Sequence, residues 1–175
     1  MKKIIFLLLV IVTGCPTFAD TFTVTSNADS GPGTLREAIT LANANGTAVD
    51  DIINFNIADV TESGRTITLQ TALPAISSNV TIDASTQPGS MLGISSARVT
   101  LYLDHYTPLP FTFLYIQNAS YVKIYGLCFK YFGNPNAGGG EHYAIGLRNK
   151  SNITVGGPGK GNMFCDVRGS ITNRF

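Results

Sequence analysis

This sequence predicts an all-β right-handed parallel β-helix, a solenoid closed at its N-terminal end by one short amphipathic capping helix. Three observations lead there. One capped helix precedes a chain that otherwise reads as short strands; the apolar residues of those strands alternate with Thr, Asn and other polar ones; and three strand-like runs recur at a 23-residue step.

Residues 1–19 read as a secretory signal peptide. Lys2 and Lys3 precede the apolar run Ile4 to Val12, and Thr17-Phe18-Ala19 offers a small-residue cleavage site ahead of Asp20. The run is far short of the roughly 20 residues a transmembrane helix needs, and no later segment is long enough, so no transmembrane span is expected. Val12-Thr13-Gly14-Cys15 also resembles a bacterial lipobox, in which Cys15 is lipidated and becomes the mature N-terminus. Soluble export is the preferred reading, because a strand already begins at Thr21 and leaves almost no tether behind Cys15. Either way the chain is expected to be secreted or held at the cell surface.

Residues 20–50 supply the first strand and the capping helix. Ser30-Gly31-Pro32-Gly33 is a turn cluster that no strand continues through, and Thr34 followed three residues later by Glu37 is a capping box. Leu35, Ala38, Ile39 and Ala42 fall at i, i+3, i+4 and i+7, so one face is apolar and needs a surface to cover. Gly46 stops the helix. A lid over the first coil is the natural role, since a solenoid otherwise exposes an open core and unpaired strand edges.

Residues 51–175 are expected to form the coils. Ile53, Phe55 and Ile57, then Ile67 and Leu69, then Val80 and Ile82 alternate with polar residues and are separated by turns such as Gln87-Pro88-Gly89. Val99, Leu101 and Leu103 map onto Val122, Ile124 and Gly126 after 23 residues and onto Ile145, Leu147 and Asn149 after 23 more. That step suits a three-strand coil. Leu114 to Ile116, Cys128 to Phe129, Ile153 to Val155 and Met163 to Cys165 would supply the other faces. An antiparallel sandwich also gives short strands with frequent turns, but it has no reason for a fixed register or for a lid. No helix or charged cap follows at Asn173-Arg174-Phe175, so the coils are expected to be the N-terminal part of a longer protein.

Composition narrows the partners. Charged residues make up 13% of the chain, about half the usual share, against 19 Thr and 13 Asn, and the net charge is +1. With no run of Lys or Arg there is no electrostatic footprint for nucleic acid or an anionic membrane surface. Beyond the leader only Cys128 and Cys165 remain, which in an oxidising compartment permits a disulfide without requiring it. Two buried thiols acting as small hydrophobes fit the same positions.

The run from Phe22 to Ile39, Phe-Thr-Val-Thr-Ser-Asn-Ala-Asp-Ser-Gly-Pro-Gly-Thr-Leu-Arg-Glu-Ala-Ile, followed by Ala42-Asn-Ala-Asn45, resembles the N-terminal motif of large exported bacterial right-handed parallel β-helix proteins with a Ser-Leu-Arg-Glu-Ala signature. Leu73-Pro-Ala-Ile76, Asn79-Val-Thr-Ile-Asp83 and Thr86-Gln-Pro-Gly89 look like that family's first coil, and Val122-Lys-Ile-Tyr-Gly-Leu127 and Ile153-Thr-Val-Gly-Gly157 like its repeating coils. Thr34 stands where the family often has Ser or Cys, and still caps. The resemblance implies the β-helix fold, which adhesins and carbohydrate-degrading enzymes share, and leaves activity open. The family's large remainder, often ending in a sorting domain, has no counterpart in these residues.

Chemistry is sparse. Polysaccharide lyases and hydrolases on such a fold need acidic residues one coil apart, yet Asp83, Asp104, Glu141 and Asp166 do not align at the 23-residue step. Asp83 and Asp104 sit where turn-stabilising carboxylates sit. His105 and His142 lack ligand spacing to each other or to a cysteine, so no zinc site is expected, and no cofactor is called for. Gly138-Gly-Gly140 and Gly156-Gly-Pro-Gly-Lys160 match no nucleotide motif and read as turns. No catalytic residue is assigned. The register that buries Leu101, Ile124 and Leu147 places Tyr102, Tyr125 and Arg148 on one exposed stripe with Lys123 beside them, a candidate surface for stacking on sugar rings; an aromatic ladder that stabilises the sheet by cross-strand packing, or that a loop covers, is the other reading. The expected function is a non-catalytic exported scaffold for adhesion or contact with an extracellular polysaccharide or a host or matrix surface. The alternative is the N-terminal part of a polysaccharide-degrading lyase or glycoside hydrolase.

Overall fold

The structure is a computed structural model that describes residues 18–103, 111–131, 142–149, 152–165 and 169–174, with His142 and 169–174 described by backbone alone. The leader with Cys15, and Asp104, His105, Glu141 and Asp166, lie outside the described residues. In chain order, strand β1 (Thr21–Val24) and helix α1 (Leu35–Asn45) are followed by β2 (Asp51–Phe55), β3 (Thr66–Thr68), β4 (Val80–Asp83), β5 (Val99–Leu103), β6 (Phe111–Gln117), β7 (Val122–Tyr125), β8 (Leu127–Tyr131), β9 (His142–Arg148), β10 (Ile153–Val155), β11 (Met163–Cys165) and β12 (Gly169–Arg174).

These strands stack as three parallel walls of a β-helix of about four turns. The first wall runs β1-β2-β4-β7-β10, the second β3-β5-β8-β11 and the third β6-β9-β12. A parallel bridge from Ile76 to Ile116 brings the first coil onto the third wall as well. The fold class read from the sequence is therefore the fold observed.

The 23-residue register is corrected. Neighbouring coils pair Val80 with Val122, Val99 with Leu127 and Ile145 with Ile171, offsets of 42, 28 and 26 residues. The step from β5 to β7 to β9 advances two walls each time and never completes a coil. Apolar alternation looks the same on every wall, so equal spacing does not reveal which wall a strand occupies. Connecting loops of unequal length do the rest.

Inside, identical positions stack coil on coil. On the first wall Phe22, Ile53, Ile82, Ile124 and Val155 form one continuous register, and on the second Ile67, Leu101, Phe129 and Phe164 do the same. Phe129 and Phe164 stack nearly parallel with centroids 5.3 Å apart, and Phe113 meets Phe129 edge-on. The Asn-rich composition finds one use at the corners: Asn118 and Asn149 follow the paired strand ends Gln117 and Arg148, and both adopt left-handed backbone, which Asn tolerates better than most residues. The corner between β7 and β8 is a single residue. Gly126 has φ +70°, and a Cβ there would lie 2.4 Å from the Ser85 amide nitrogen of the preceding coil.

Helix α1 closes the N-terminal end. Leu35, Ala38, Ile39 and Ala42 are its buried residues and pack over β1 and β2. Burying Leu35 and Ile39 contributes about 1.5–3 kcal/mol each. Thr34 caps the helix, its hydroxyl accepting from the Glu37 amide at 3.3 Å, while Glu37 reaches back one residue past the cap, Oε2 accepting from the Gly33 amide at 2.6 Å, so the reciprocal half of the expected capping box is shifted to Gly33. Polar staples tie the lid to the first coil. Arg36 donates to the carbonyls of Ala72 and Thr71 and to Asp29 Oδ1, while the Asn43 amide group donates to the Ala75 carbonyl and accepts from the Ser77 amide. Among the described residues no helix is long and apolar enough to cross a membrane.

Candidate functional site

The outer face of the second wall carries a groove. Alternation turns Ile67, Leu101, Phe129 and Phe164 inward, so the intervening residues point out in two rows. One row runs Thr66, Thr100, Cys128, Met163; the other runs Thr68, Tyr102, Lys130, Cys165. At about 4.8 Å per strand the four strands span about 14 Å across the coils.

Among the described residues, three adjoining depressions line this face. The largest, about 560 Å³, lies at the lid end between Asn27, Asp29, Ser63, Thr66, Thr68, Gln70 and Tyr102. A small one of about 110 Å³ joins Glu62, Thr66, Thr100, Tyr102 and Lys130. A third of about 390 Å³ shares Glu62, Thr100 and Lys130 with the second and runs on to Met91, Met163, Cys128 and Cys165. Tyr102 belongs to the first two and Lys130 to the last two, so the pair sits where the depressions meet.

Two loops wall the groove, and one buried side chain holds them together. Arg65 is 3% exposed; its Nε donates to the Val60 and Thr61 carbonyls, and its Nη1 donates to the Ser90 carbonyl at 2.8 Å and the Arg98 carbonyl at 2.5 Å. A planar guanidinium with several donors suits such a joint. Arg98 adds a hydrogen bond to the Gly89 carbonyl. On the rim, Asp59 accepts from the hydroxyl and amide of Thr61, which lowers its carboxyl below the ordinary value. At the lid end Asp29 Oδ1 is held by Arg36 at 2.7 Å and by the Gln70 amide at 3.2 Å. Among the described residues, the groups facing the groove are thus chiefly hydroxyls and amides, with the Tyr102 phenol, the Lys130 ammonium and the Glu62 carboxylate.

The single aromatic stripe expected from the sequence does not form. Tyr102 lies on the second wall, Tyr125 and Lys123 on the first and Arg148 on the third, because the 23-residue step crosses walls. Each still points outward: Tyr102 and Tyr125 are half-buried, and Lys123 and Arg148 are exposed. Tyr125 has other company. Lys160 Nζ lies 5.3 Å from its ring centroid and pairs with Asp83 at 2.5 Å, while Gly157 sits close to the ring edge. Asp83 also accepts from the amide and hydroxyl of Ser85, fastening the turn after β4.

Cys128 and Cys165 stand on adjacent strands of the groove floor, and both are free thiols. Cys128 is buried. Burial first, and then the neighbouring Cys165, push its thiol up to about 12, against opposing pulls from the Thr100 hydroxyl and from Lys130. Among the described residues no three His, Cys, Asp or Glu side chains gather as a metal cluster. Thr66, Thr68 and Lys130 are groove residues that the sequence did not single out. Their signal was the outward polar row flanking Ile67, Leu101 and Phe129, visible only once the walls are assigned.

Comparison with protein-family models, with curated proteins and with solved structures gives no match for this chain.

Proposed function

We propose that the protein is an exported, non-catalytic β-helix scaffold that holds an extended polysaccharide along the outer face of its second wall. One observation carries this reading: Tyr102 stands at the junction of the groove, with Lys130 next to it and Thr66, Thr68 and Thr100 around it. A half-buried phenol ring offers a face for a sugar ring, and hydroxyls at a fixed repeat meet sugar hydroxyls. Lys130 and the exposed Glu62 add charged hydrogen-bonding partners. An open, elongated groove suits a polymer better than a small molecule, which is usually enclosed in a cavity. The export of the protein rests on the leader sequence, and the low charge of the chain agrees with a hydroxyl-rich partner.

The test is retention of the purified protein on a panel of immobilised neutral and acidic polysaccharides, with the soluble phase assayed for released oligosaccharide. Retention without release is the expected result. Release of oligosaccharide would transfer the groove to a degradative enzyme, and absence of retention across the panel would remove the polysaccharide reading.

A further inference from the structure

Four sulfur-bearing side chains line the far end of the groove. Met163 lies directly opposite Cys128 in the pairing of β11 with β8, and Cys165, two residues along β11, projects from the same face. Leu92 and Ala97, from the loop that follows the second coil's first strand, pack with Cys128, and Met163 and Cys165 pack against that small cluster. Met91, in the same loop, is 57% exposed and lines the same depression of about 390 Å³. Gly93 lies over Met163: a Cβ there would be 3.5 Å from its Sδ. Cys128 and Cys165 stand on adjacent strands, belong to this one cluster and line the same depression.

We propose that Cys128, Cys165 and Met163 form a binding site for a soft d¹⁰ metal ion, Cu(I), with Met91 as a mobile fourth ligand that closes over it. Thiolate and thioether sulfur select Cu(I), whereas calcium and magnesium require oxygen ligands. Zinc in structural sites takes four Cys or His ligands, and two thioethers do not replace them. A flexible, exposed methionine at the mouth and a buried cysteine at the floor give the ion an entry path. On binding, two S–H bonds break, two Cu–S bonds form and two protons pass to solvent. The metal enters and stays as Cu(I), so no electron moves.

The test is an anaerobic titration of the reduced full chain with Cu(I) against a coloured competing chelator, with thiol alkylation measured in parallel. One Cu(I) per chain should be retained, with the partly exposed Cys165, open to alkylation in the metal-free chain, then protected. Cys128→Ser and Cys165→Ser should each abolish retention, and Met163→Leu should weaken it about tenfold while leaving both thiols present. Circular dichroism of each variant separates loss of a ligand from loss of fold. Should a variant fail to fold, stoichiometry and thiol protection in the unaltered chain still decide the matter. A wild-type chain that releases all Cu(I) to the chelator, or a folded Cys128→Ser/Cys165→Ser double variant that retains as much as wild type, overturns the proposal.

Discussion

Tyr102 lies directly opposite Lys130 on the neighbouring parallel strand, one coil apart and on the outer face of the same wall. The sequence separates the two by a loop and two further strands, β6 and β7, on other walls. Their meeting therefore depends on the coil closing with that register. The groove is a product of the solenoid and of no local motif. A slip of one residue would turn both side chains into the core and Leu101 and Phe129 outward, which the hydrophobic stack forbids.

Gln87 is the brace of the first corner. Its side chain is 1% exposed; Oε1 accepts from the Ile57 amide at 2.7 Å, and Nε2 donates to the Ile57 carbonyl at 3.0 Å. Gln87→Ala strands both buried backbone groups and is expected to cost about 2–4 kcal/mol. Gln87→Glu keeps the acceptor and loses the donor, so it should also destabilise. Urea unfolding of the two variants checks this, and wild-type stability in Gln87→Ala would refute the brace.

Gly126 tests the coil stacking more severely. Gly126→Ala must clear the Ser85 amide and the Ala84 carbonyl carbon, which a Cβ would approach to 2.4 and 2.7 Å, and must also hold a left-handed φ. Backbone offers no side chain that swings aside, so a loss above about 3 kcal/mol is expected. Gly159 has a similar φ of +67° but open space around it, so Gly159→Ala should cost only about 1–2 kcal/mol. Equal stabilities for the two variants, read from thermal melts, would contradict the stacking.

The lid predicts a graded response. Ile39→Ala removes buried apolar contact at 1% exposure and should cost about 2–5 kcal/mol; Thr34→Ala removes the cap and should cost about 1 kcal/mol. Hydrogen exchange should rise first in β1 and β2, the strands beneath the helix. Unchanged exchange there in Ile39→Ala would show that the helix does not protect the coil end.

Cys128 carries a pH prediction. With its thiol held at about 12 by burial and by Cys165, against 9.0 in an unfolded chain, little thiolate exists at pH 8 and alkylation of the folded protein should leave Cys128 unlabelled until a denaturant is added. The unfolded state loses this proton first as pH rises. Stability is therefore fully present below about 9.0 and declines as pH climbs towards about 12. Rapid labelling of Cys128 in the folded chain at pH 8 would contradict its burial.

How far the sequence reached differs between fold and site. Thr34 with Glu37 and the Leu35, Ala38, Ile39, Ala42 face were legible because caps and helical periodicity act within a few residues. Strand identity was legible for the same reason: Leu101, Ile124 and Leu147 all turn inward as alternation requires, the first two fully buried and Leu147 packed against the core. What failed was the third dimension. Nothing within the strands Val99–Leu103 and Val122–Tyr125 says that they occupy different walls, since loop length alone sets how far round the coil the chain has travelled. Tyr102 was singled out for its outward phenol, and its true neighbours Lys130 and Thr68 were hidden by offsets that only backbone pairing reveals.

The most direct measurement compares Tyr102→Ala with Tyr125→Ala for affinity to the polysaccharide that best retains the wild-type protein. Tyr102 stands in the groove on the second wall, and Tyr125 stands on the first wall beneath Lys160. Loss of at least about tenfold in Tyr102→Ala, equivalent to about 1.4 kcal/mol, with Tyr125→Ala unchanged, is the predicted result. Equal affinities for wild type and a folded Tyr102→Ala would contradict the assignment of the groove.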